Sequence, residues 1–112
     1  MIITDNKDAV HEVLGPSIYT CNGKRQTAFT VKYGNADITY PFDEITQFES
    51  EIEEAPNNPY GIWNLKLTFT SGDVIISKDN GGTKCYTVIG KTKNGGDFEI
   101  YLSTARKITF KD

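Results

Sequence analysis

Two segments of this chain, sixty positions apart, repeat one pattern of apolar and polar residues. Each has an alternating apolar stretch, a polar corner of two residues and a second short apolar stretch. The two segments are DITYPFDEITQF (37–48) and DFEIYLSTARKI (97–108). Alternation with a period of two is typical of strands that bury one face. The matched apolar positions therefore predict two similar β-meanders that share one core.

The match extends to the preceding strand of each segment. Phe29-Thr30-Val31 aligns with Tyr86-Thr87-Val88 at an offset of 57 residues, and a three-residue insertion before Asp97 raises the offset to 60. We interpret this order as internal duplication, although any two meanders share alternation and glycine turns. The predicted organisation is one domain over 1–112, with repeats at about 17–53 and 62–112 joined by a Pro/Asn-rich connection at 54–61.

The predicted fold class is all-β, with the two meanders packed as a sandwich or a partly open barrel. At most one short helix is predicted, over residues 5–15, because Val10, Val13 and Leu14 have the i, i+3, i+4 spacing of a helical face. The alternative places Ile2 and Ile3 on an edge strand. The predicted core consists of Phe29, Val31, Ile38, Tyr40, Phe42, Leu65, Leu67, Phe69, Val88, Phe98, Ile100, Leu102 and Ile108.

The second half resembles a recurrent bacterial module on three stretches, LTFTSGDVII, TVIGKTKNGGDFEIYL and ARKITF. The shared pattern is G-x-F/I-x-I-x-L-x-x-I-x-x-I-x-F, found in small all-β domains of uncharacterised function that are distantly Sm-like in appearance. The resemblance covers residues 65–110 well and residues 24–48 more loosely, and the chain departs from it at Ala105. It implies a small barrel or sandwich and carries almost no chemistry.

Two cysteines, Cys21 and Cys85, lie far apart in the chain and form no C-x-x-C motif. The first residues lack a basic segment followed by an apolar stretch, and no apolar run approaches the about 20 residues that span a bilayer. These features predict a cytoplasmic protein with no membrane partner, in which both thiols are free and packed. A disulfide would require the two Cα atoms to lie within about 7 Å.

Few residues are suited to catalysis. His11 is the one histidine of the sequence, and no second histidine completes a zinc site. The acidic pair Asp43-Glu44 falls in a corner where polar residues are required structurally, and its counterpart in the second half, Ser103-Thr104, does not ionise. We therefore predict a protein that is not an enzyme, with no catalytic residue, no metal ligand and no cofactor.

A non-enzymatic interaction or accessory module is the function that remains best supported. A sheet edge, or the loop that carries Tyr60 and Trp63, would receive a protein partner by strand addition or through an aromatic anchor. The alternative for Trp63 is a core position, because it shares parity with the apolar residues of its strand. The partner is unknown.

The sequence also allows three other kinds of partner. A nucleic-acid-binding barrel would use Lys91, Lys93 and Tyr86, but the sequence pI of about 5.1 speaks against a polyanion. A carbohydrate-binding sandwich would add the tyrosines at 33 and 40 to Tyr60 and Trp63. The acidic run at 49–54 is either a solvated linker or a surface for a basic partner or a second subunit, so a homo-oligomer stays open.

Overall fold

A computed structural model describes residues 1–80 and 84–110, and all of its strand pairs are antiparallel. The prediction of an all-β fold is confirmed. The first six strands are β1 (Ile2–Asp5), β2 (Val10–Glu12), β3 (Leu14–Tyr19), β4 (Arg25–Gln26), β5 (Ala28–Tyr33) and β6 (Ala36–Pro41). The other six are β7 (Ile45–Ala55), β8 (Asn58–Phe69), β9 (Val74–Ser77), β10 (Thr87–Lys91), β11 (Asp97–Tyr101) and β12 (Ala105–Thr109).

The two polar corners of the repeated pattern fold in the same way. Phe42–Glu44 forms a 3₁₀ turn between β6 and β7, and Leu102–Thr104 forms one between β11 and β12. In each turn the first residue donates its amide to the carbonyl of the residue directly before the first strand of the preceding hairpin. Phe42 donates to Thr27, before β5, at 3.0 Å, and Leu102 donates to Tyr86, before β10, at 2.7 Å. The repeated sequence therefore produces a repeated local structure.

The strand order of the largest sheet is symmetric about its centre when the two repeated segments are matched to each other. Its order is β2-β1-β12-β7-β8-β9, and the central pair, β12 and β7, places Ile108 directly opposite Phe48. These two residues occupy the same position of the repeated pattern. A pseudo-twofold axis therefore passes between them and relates β7 to β12, β8 to β1 and β9 to β2.

The same axis relates the hairpin β1–β2 to the hairpin β8–β9. At their turns, Asp5 donates its amide to Ala9 and Phe69 donates to Asp73, each at 2.9 Å and at an offset of 64 residues. Each hairpin also meets its neighbour across a bulge at the equivalent position: the β1–β12 register skips Arg106, and the β7–β8 register skips Thr46, sixty residues earlier. The β7–β8 pair has a second irregularity between Glu53 and Ala55. The N-terminal hairpin thus corresponds to β8–β9, a relationship that the sequence comparison did not reveal.

The strand pairing within the hairpins β5–β6 and β10–β11 corrects the alignment made from the sequence. Thr30 pairs with Thr39 in β5–β6 as Ile89 pairs with Glu99 in β10–β11, so the offset between β5 and β10 is 59 residues and not 57. The change to 60 then requires one additional residue in the second hairpin loop instead of three. The register supports internal duplication, which stays a prediction. The part of the predicted match that includes residues 81–83 lies outside the described residues.

The axis divides the molecule into two lobes. We call β1–β3 with β10–β12 the terminal lobe, and β5–β9 the central lobe; β4 pairs with β3. In the terminal lobe, β3 pairs with β10 in a ladder whose register shifts between Ile89 and Lys91. Gly90 permits this approach, because a Cβ atom there would lie 2.5 Å from Val13 Cγ1 and 2.9 Å from the Leu14 carbonyl oxygen.

In the central lobe, the described residues are joined at the equivalent place by hydrogen bonds of side chains. Ser77 at the end of β9 donates its hydroxyl to the Lys32 carbonyl, and the Lys32 amide donates to Asn80 Oδ1 at 3.1 Å. Asn80 also donates its own amide to the Trp63 carbonyl at 2.8 Å. Val31 occupies the position that corresponds to Gly90, and among the described residues β6 is the only strand that pairs with β5. Within the described part of the chain, Ser77 and Asn80 therefore join the end of β9 to β5.

Most of the predicted core is buried. Seven of its residues are fully or almost fully buried: Phe29, Val31, Leu65, Leu67, Val88, Leu102 and Ile108. Five more are half-buried and pack against them, namely Tyr40, Phe42, Phe69, Phe98 and Ile100, and Ile38 is half-buried. The aromatic rings cluster around Phe29, whose centroid lies 4.7 Å from that of Phe42 and 5.5 Å from that of Phe48.

Two local predictions are wrong. Residues 5–15 form no helix, because β1 and β2 pair with each other and with β12 and so satisfy their backbone groups in a sheet. The connection at 54–61 is also shorter than predicted. Strands β7 and β8 extend to Ala55 and from Asn58, and only the turn at Pro56-Asn57 lies between them.

The prediction of free thiols is also wrong. Cys21 and Cys85 form a disulfide, with their Cα atoms 5.1 Å apart. The pairing of β3 with β10 brings the two cysteines together, since Cys21 follows the first of these strands and Cys85 precedes the second. The cytoplasmic location stays a prediction, and the disulfide counts against it because such bonds persist mainly in oxidising compartments.

Candidate functional site

A groove in the central lobe is lined almost entirely by apolar and aromatic side chains. Its volume is about 380 Å³. It lies between β9 and the β5–β6 hairpin and is lined by Tyr33, Ile38, Tyr40, Val74, Ile75 and Ile76. The outward residues Val74 and Ile76 are 49% and 60% exposed. We call this surface the β9 groove.

Strand β9 forms one wall of the groove and ends the six-stranded sheet. Its first edge pairs with β8, where Ile75 lies opposite Leu67 and Ile76 opposite Lys66. Within the described part of the chain, no strand pairs with its second edge. An edge of this kind presents unpaired backbone amides and carbonyls, and β9 carries no proline or charged residue between Val74 and Ser77 to block pairing.

The aromatic side of the groove is held by the hairpin opposite. The ring of Tyr40 lies 4.7 Å from that of Phe69, which fixes it against the core. Tyr33 stands at the end of β5 and is 60% exposed. Tyrosine at such a site offers a large contact area with little loss of rotamer freedom.

In the terminal lobe, aromatic and charged side chains occupy the place that corresponds to the groove. At the positions of Ile75 and Ile38 it has His11 and Phe98, whose ring centroids lie 5.2 Å apart. At the position of Ile76 it has Glu12, whose carboxylate lies 2.8 Å from Lys93 Nζ. The two lobes share a register and differ here in chemistry: among the described residues, the central lobe has an apolar groove at this place, and the terminal lobe has His11, Glu12 and Lys93.

Asp5 helps to fix the closed side of the terminal lobe. Its carboxylate lies 2.9 Å from His11 Nε2 and accepts the backbone amides of Lys7 and Ala9 at 2.9 and 3.0 Å. The hydrogen bond from His11, followed by that from the Lys7 amide, holds the pKa of the Asp5 carboxyl below its usual value of 3.8. This set of contacts fixes the N-terminal turn and the His11 ring together.

Replacing Asp5 should change how stability depends on pH. A depressed pKa means that the contacts stabilise the folded chain above pH 3.8 and that this contribution is lost as the pH falls through the lower pKa of the folded state. We therefore expect Asp5→Asn to lower the thermal midpoint at pH 7 and to match the wild type in strong acid. Thermal unfolding across the pH range measures this, with Glu54→Gln as control. A constant difference at every pH would contradict the assignment.

The two aromatic residues predicted to bind a partner lie in different surroundings. Tyr60 is 82% exposed beside the β7–β8 turn, where its amide donates to Asn58 Oδ1 at 3.0 Å. Trp63 is 1% exposed and packs against Phe48, with ring centroids 6.2 Å apart. Trp63 is therefore a core residue and presents no ring to a partner, while the role of Tyr60 stays a prediction.

Tyr60 belongs to a hairpin arm that extends past its neighbours. Strand β12 pairs with β7 only at residues 47–49, and β9 pairs with β8 only from residue 65 onward. Ile52, 60% exposed, and Tyr60 line a shallow depression of about 310 Å³ on this arm. The acidic run at 49–54 lies on β7 and therefore forms a strand instead of a linker. Within this run, Glu53 Oε1 lies 3.7 Å from Lys78 Nζ.

The residues predicted for nucleic-acid binding are paired with carboxylates. Lys91 contacts Asp97 across the β10–β11 ladder, and Lys93 contacts Glu12. The hydrogen bond from Lys91 lowers the pKa of the Asp97 carboxyl, and the hydrogen bond to Glu12 raises the pKa of Lys93, as expected of ion pairs. Tyr86 is half-buried and packs against the core. The site therefore offers little unpaired positive charge to a phosphate backbone.

A second cleft, of about 540 Å³, lies where β3 and β4 face the 3₁₀ turn at Phe42. It mixes apolar residues such as Pro16 and Phe110 with the charged side chains of Arg25 and Asp43. None of the described residues that line it is a buried polar residue. Among the described residues, no cluster of three or more histidine, cysteine, aspartate or glutamate side chains is placed to hold a metal ion.

Sequence reasoning missed the β9 groove. The signal that could have found it is the run Val74-Ile75-Ile76, three consecutive apolar residues where a strand with one buried face would alternate.

Comparison of the chain with protein-family models, curated proteins and solved structures finds no match. Over the described ranges, no helix has the length and apolar character needed to cross a bilayer.

Proposed function

We propose that this protein is a non-enzymatic interaction module that binds an extended polypeptide segment along β9. The observation that carries the proposal is the difference between the lobes: one position of the shared register is closed by His11 and Glu12 in the terminal lobe and is open and apolar in the central lobe. In strand addition, backbone hydrogen bonds supply affinity and side-chain pockets supply specificity.

Both elements of strand addition are available at this site. The second edge of β9 offers backbone donors and acceptors, and the groove beside it offers an apolar pocket between Tyr33, Tyr40 and Ile75. A bound segment would continue the six-stranded sheet and place alternate side chains in that pocket. The ligand class that fits is therefore an extended segment with apolar residues at alternate positions.

Two other classes have weaker support. Lys91 and Lys93 are each neutralised by a neighbouring carboxylate, which does not favour a polyanion. A sugar platform would need coplanar exposed rings, and of the four aromatic residues considered for it Trp63 is buried and Tyr60 lies on the hairpin arm, away from the groove. Tyr33 and Tyr40 do line one groove.

A labelled peptide tests the proposal. The probe is a fluorescent peptide of about seven residues that alternates valine and threonine, and the control peptide has proline at its centre to remove a backbone donor. We expect binding to the wild type with a Kd of about 10–100 μM, measured by fluorescence anisotropy, and no binding of the proline peptide.

The second lobe supplies a matched control variant. Ile76→Glu gives β9 the residue type that the terminal lobe has at Glu12, and Val10→Glu makes the same change at the exposed position that corresponds to Val74. We expect Ile76→Glu to weaken binding at least tenfold and Val10→Glu to leave it unchanged. Equal effects of the two substitutions, or none from Ile76→Glu, would refute binding along β9.

A further inference from the structure

We infer that the segment bound along β9 is β9 of a second copy of this chain, so that the protein forms a twofold dimer by edge-to-edge pairing. This inference rests on the proposed function and names its partner. Two copies would join their six-stranded sheets into one continuous sheet. The twofold axis would pass between the two copies of Ile75.

The sequence of β9 is complementary to itself in this register. With Ile75 opposite its own copy, Val74 lies opposite Ile76 of the second copy, and the two outward pairs form one apolar cluster of four side chains. Asp73 precedes the strand and Lys78 follows it. Antiparallel pairing therefore brings the acidic end of one strand to the basic end of the other, and no like charges face each other.

The molecule already contains an example of the same geometry. Strands β7 and β12 pair edge to edge about the pseudo-twofold axis, with Phe48 opposite Ile108 at equivalent positions. A dimer through β9 would repeat that arrangement at the end of the same sheet. It would continue an interface that the fold itself uses.

The other strands that end sheets carry residues that discourage pairing. Charges or proline occur in each of them, at Glu12 in β2, Arg25 in β4, Lys32 in β5, Asp37 and Pro41 in β6, and Asp97 and Glu99 in β11. Such residues are the usual protection of exposed edges. Among the described strands that end a sheet, β9 alone has neither, so pairing is directed to one edge and closes at two copies.

The dimer is expected to be weak because a four-residue strand and its groove bury less surface than a standard interface. Sedimentation velocity on the full chain, from about 5 to 500 μM, should show a monomer that converts to a dimer with a Kd of about 10–100 μM. Ile76→Glu should stay monomeric over this range, and Val10→Glu should dimerise like the wild type.

Cysteine cross-linking tests the register. Across an antiparallel pair, residues that face each other have Cα atoms about 4.5–5.5 Å apart, within reach of a disulfide. Ile75→Cys should therefore form a covalent dimer on mild oxidation with oxidised glutathione. Val74→Cys, displaced by two residues from its own copy and so about 8 Å away, should not.

The outcomes separate this inference from the function on which it rests. A wild type that stays monomeric at about 500 μM but binds the alternating peptide overturns the dimer and leaves the binding function intact. A monomer that binds no peptide overturns both. A dimer that persists in Ile76→Glu, or assemblies larger than a dimer, would show that copies associate through another surface.

Discussion

The double substitution Cys21→Ser and Cys85→Ser is expected to lower the free energy of unfolding by about 4 kcal/mol. The disulfide closes a loop across 64 positions, and a loop of this length removes roughly that much conformational free energy from the unfolded chain. The bond also fastens the start of β10 to the turn after β3, where the terminal lobe forms its second sheet.

Thermal unfolding with and without a reducing agent measures this effect. For a chain of this size we expect the midpoint of the wild type to fall by roughly 15 °C on reduction. The double serine variant should already have the lower midpoint and should not respond to the reductant, which controls for other effects of the reagent. A midpoint that is the same in all four conditions would show that the bond contributes nothing to stability.

Truncation of Phe48 is expected to be equally costly. Its side chain is fully buried, lies opposite Ile108 and Leu67 in the sheet, and stacks on Phe29. Phe48→Ala should lower the free energy of unfolding by about 3–5 kcal/mol, because it removes apolar contacts and leaves a cavity where the two lobes meet.

Urea denaturation followed by tryptophan fluorescence measures the loss, since Trp63 packs beside Phe48. Tyr60→Ala is the control, because Tyr60 is almost fully exposed and its removal leaves no cavity. A loss below about 1 kcal/mol for Phe48→Ala would contradict the assignment of this residue to the centre of the core.

The strands were predictable where one face is buried. Alternation placed Leu65, Leu67 and Phe69 correctly, and the paired polar corners predicted two equivalent turns. The N-terminal hairpin was missed because its strands are short and largely polar, so the spacing of Val10, Val13 and Leu14 imitated a helix. Only pairing with β12, about a hundred residues away, decides its conformation.

The candidate site depended on information that one sequence does not contain. Val74-Ile75-Ile76 can be a central strand or an edge, and the difference is set by which strand ends the sheet. The disulfide depended likewise on the neighbourhood of β3 and β10. The acidic run at 49–54, for which a linker was one of two interpretations, lies on β7, where residues 49 and 50 are half-buried and residues 51–54 are exposed.

The disulfide also determines how the molecule would respond to a pulling force. The first and last described strands, β1 and β12, are direct neighbours, so tension applied at Ile2 and Thr109 would unzip them first. Extension would then stop at the sulfur–sulfur bridge, because the whole central lobe lies within the loop that it closes. About 200 Å of contour length would stay hidden from the load until the bridge is reduced. A force applied at the two ends of the chain therefore does not act on the central lobe while the bridge is intact.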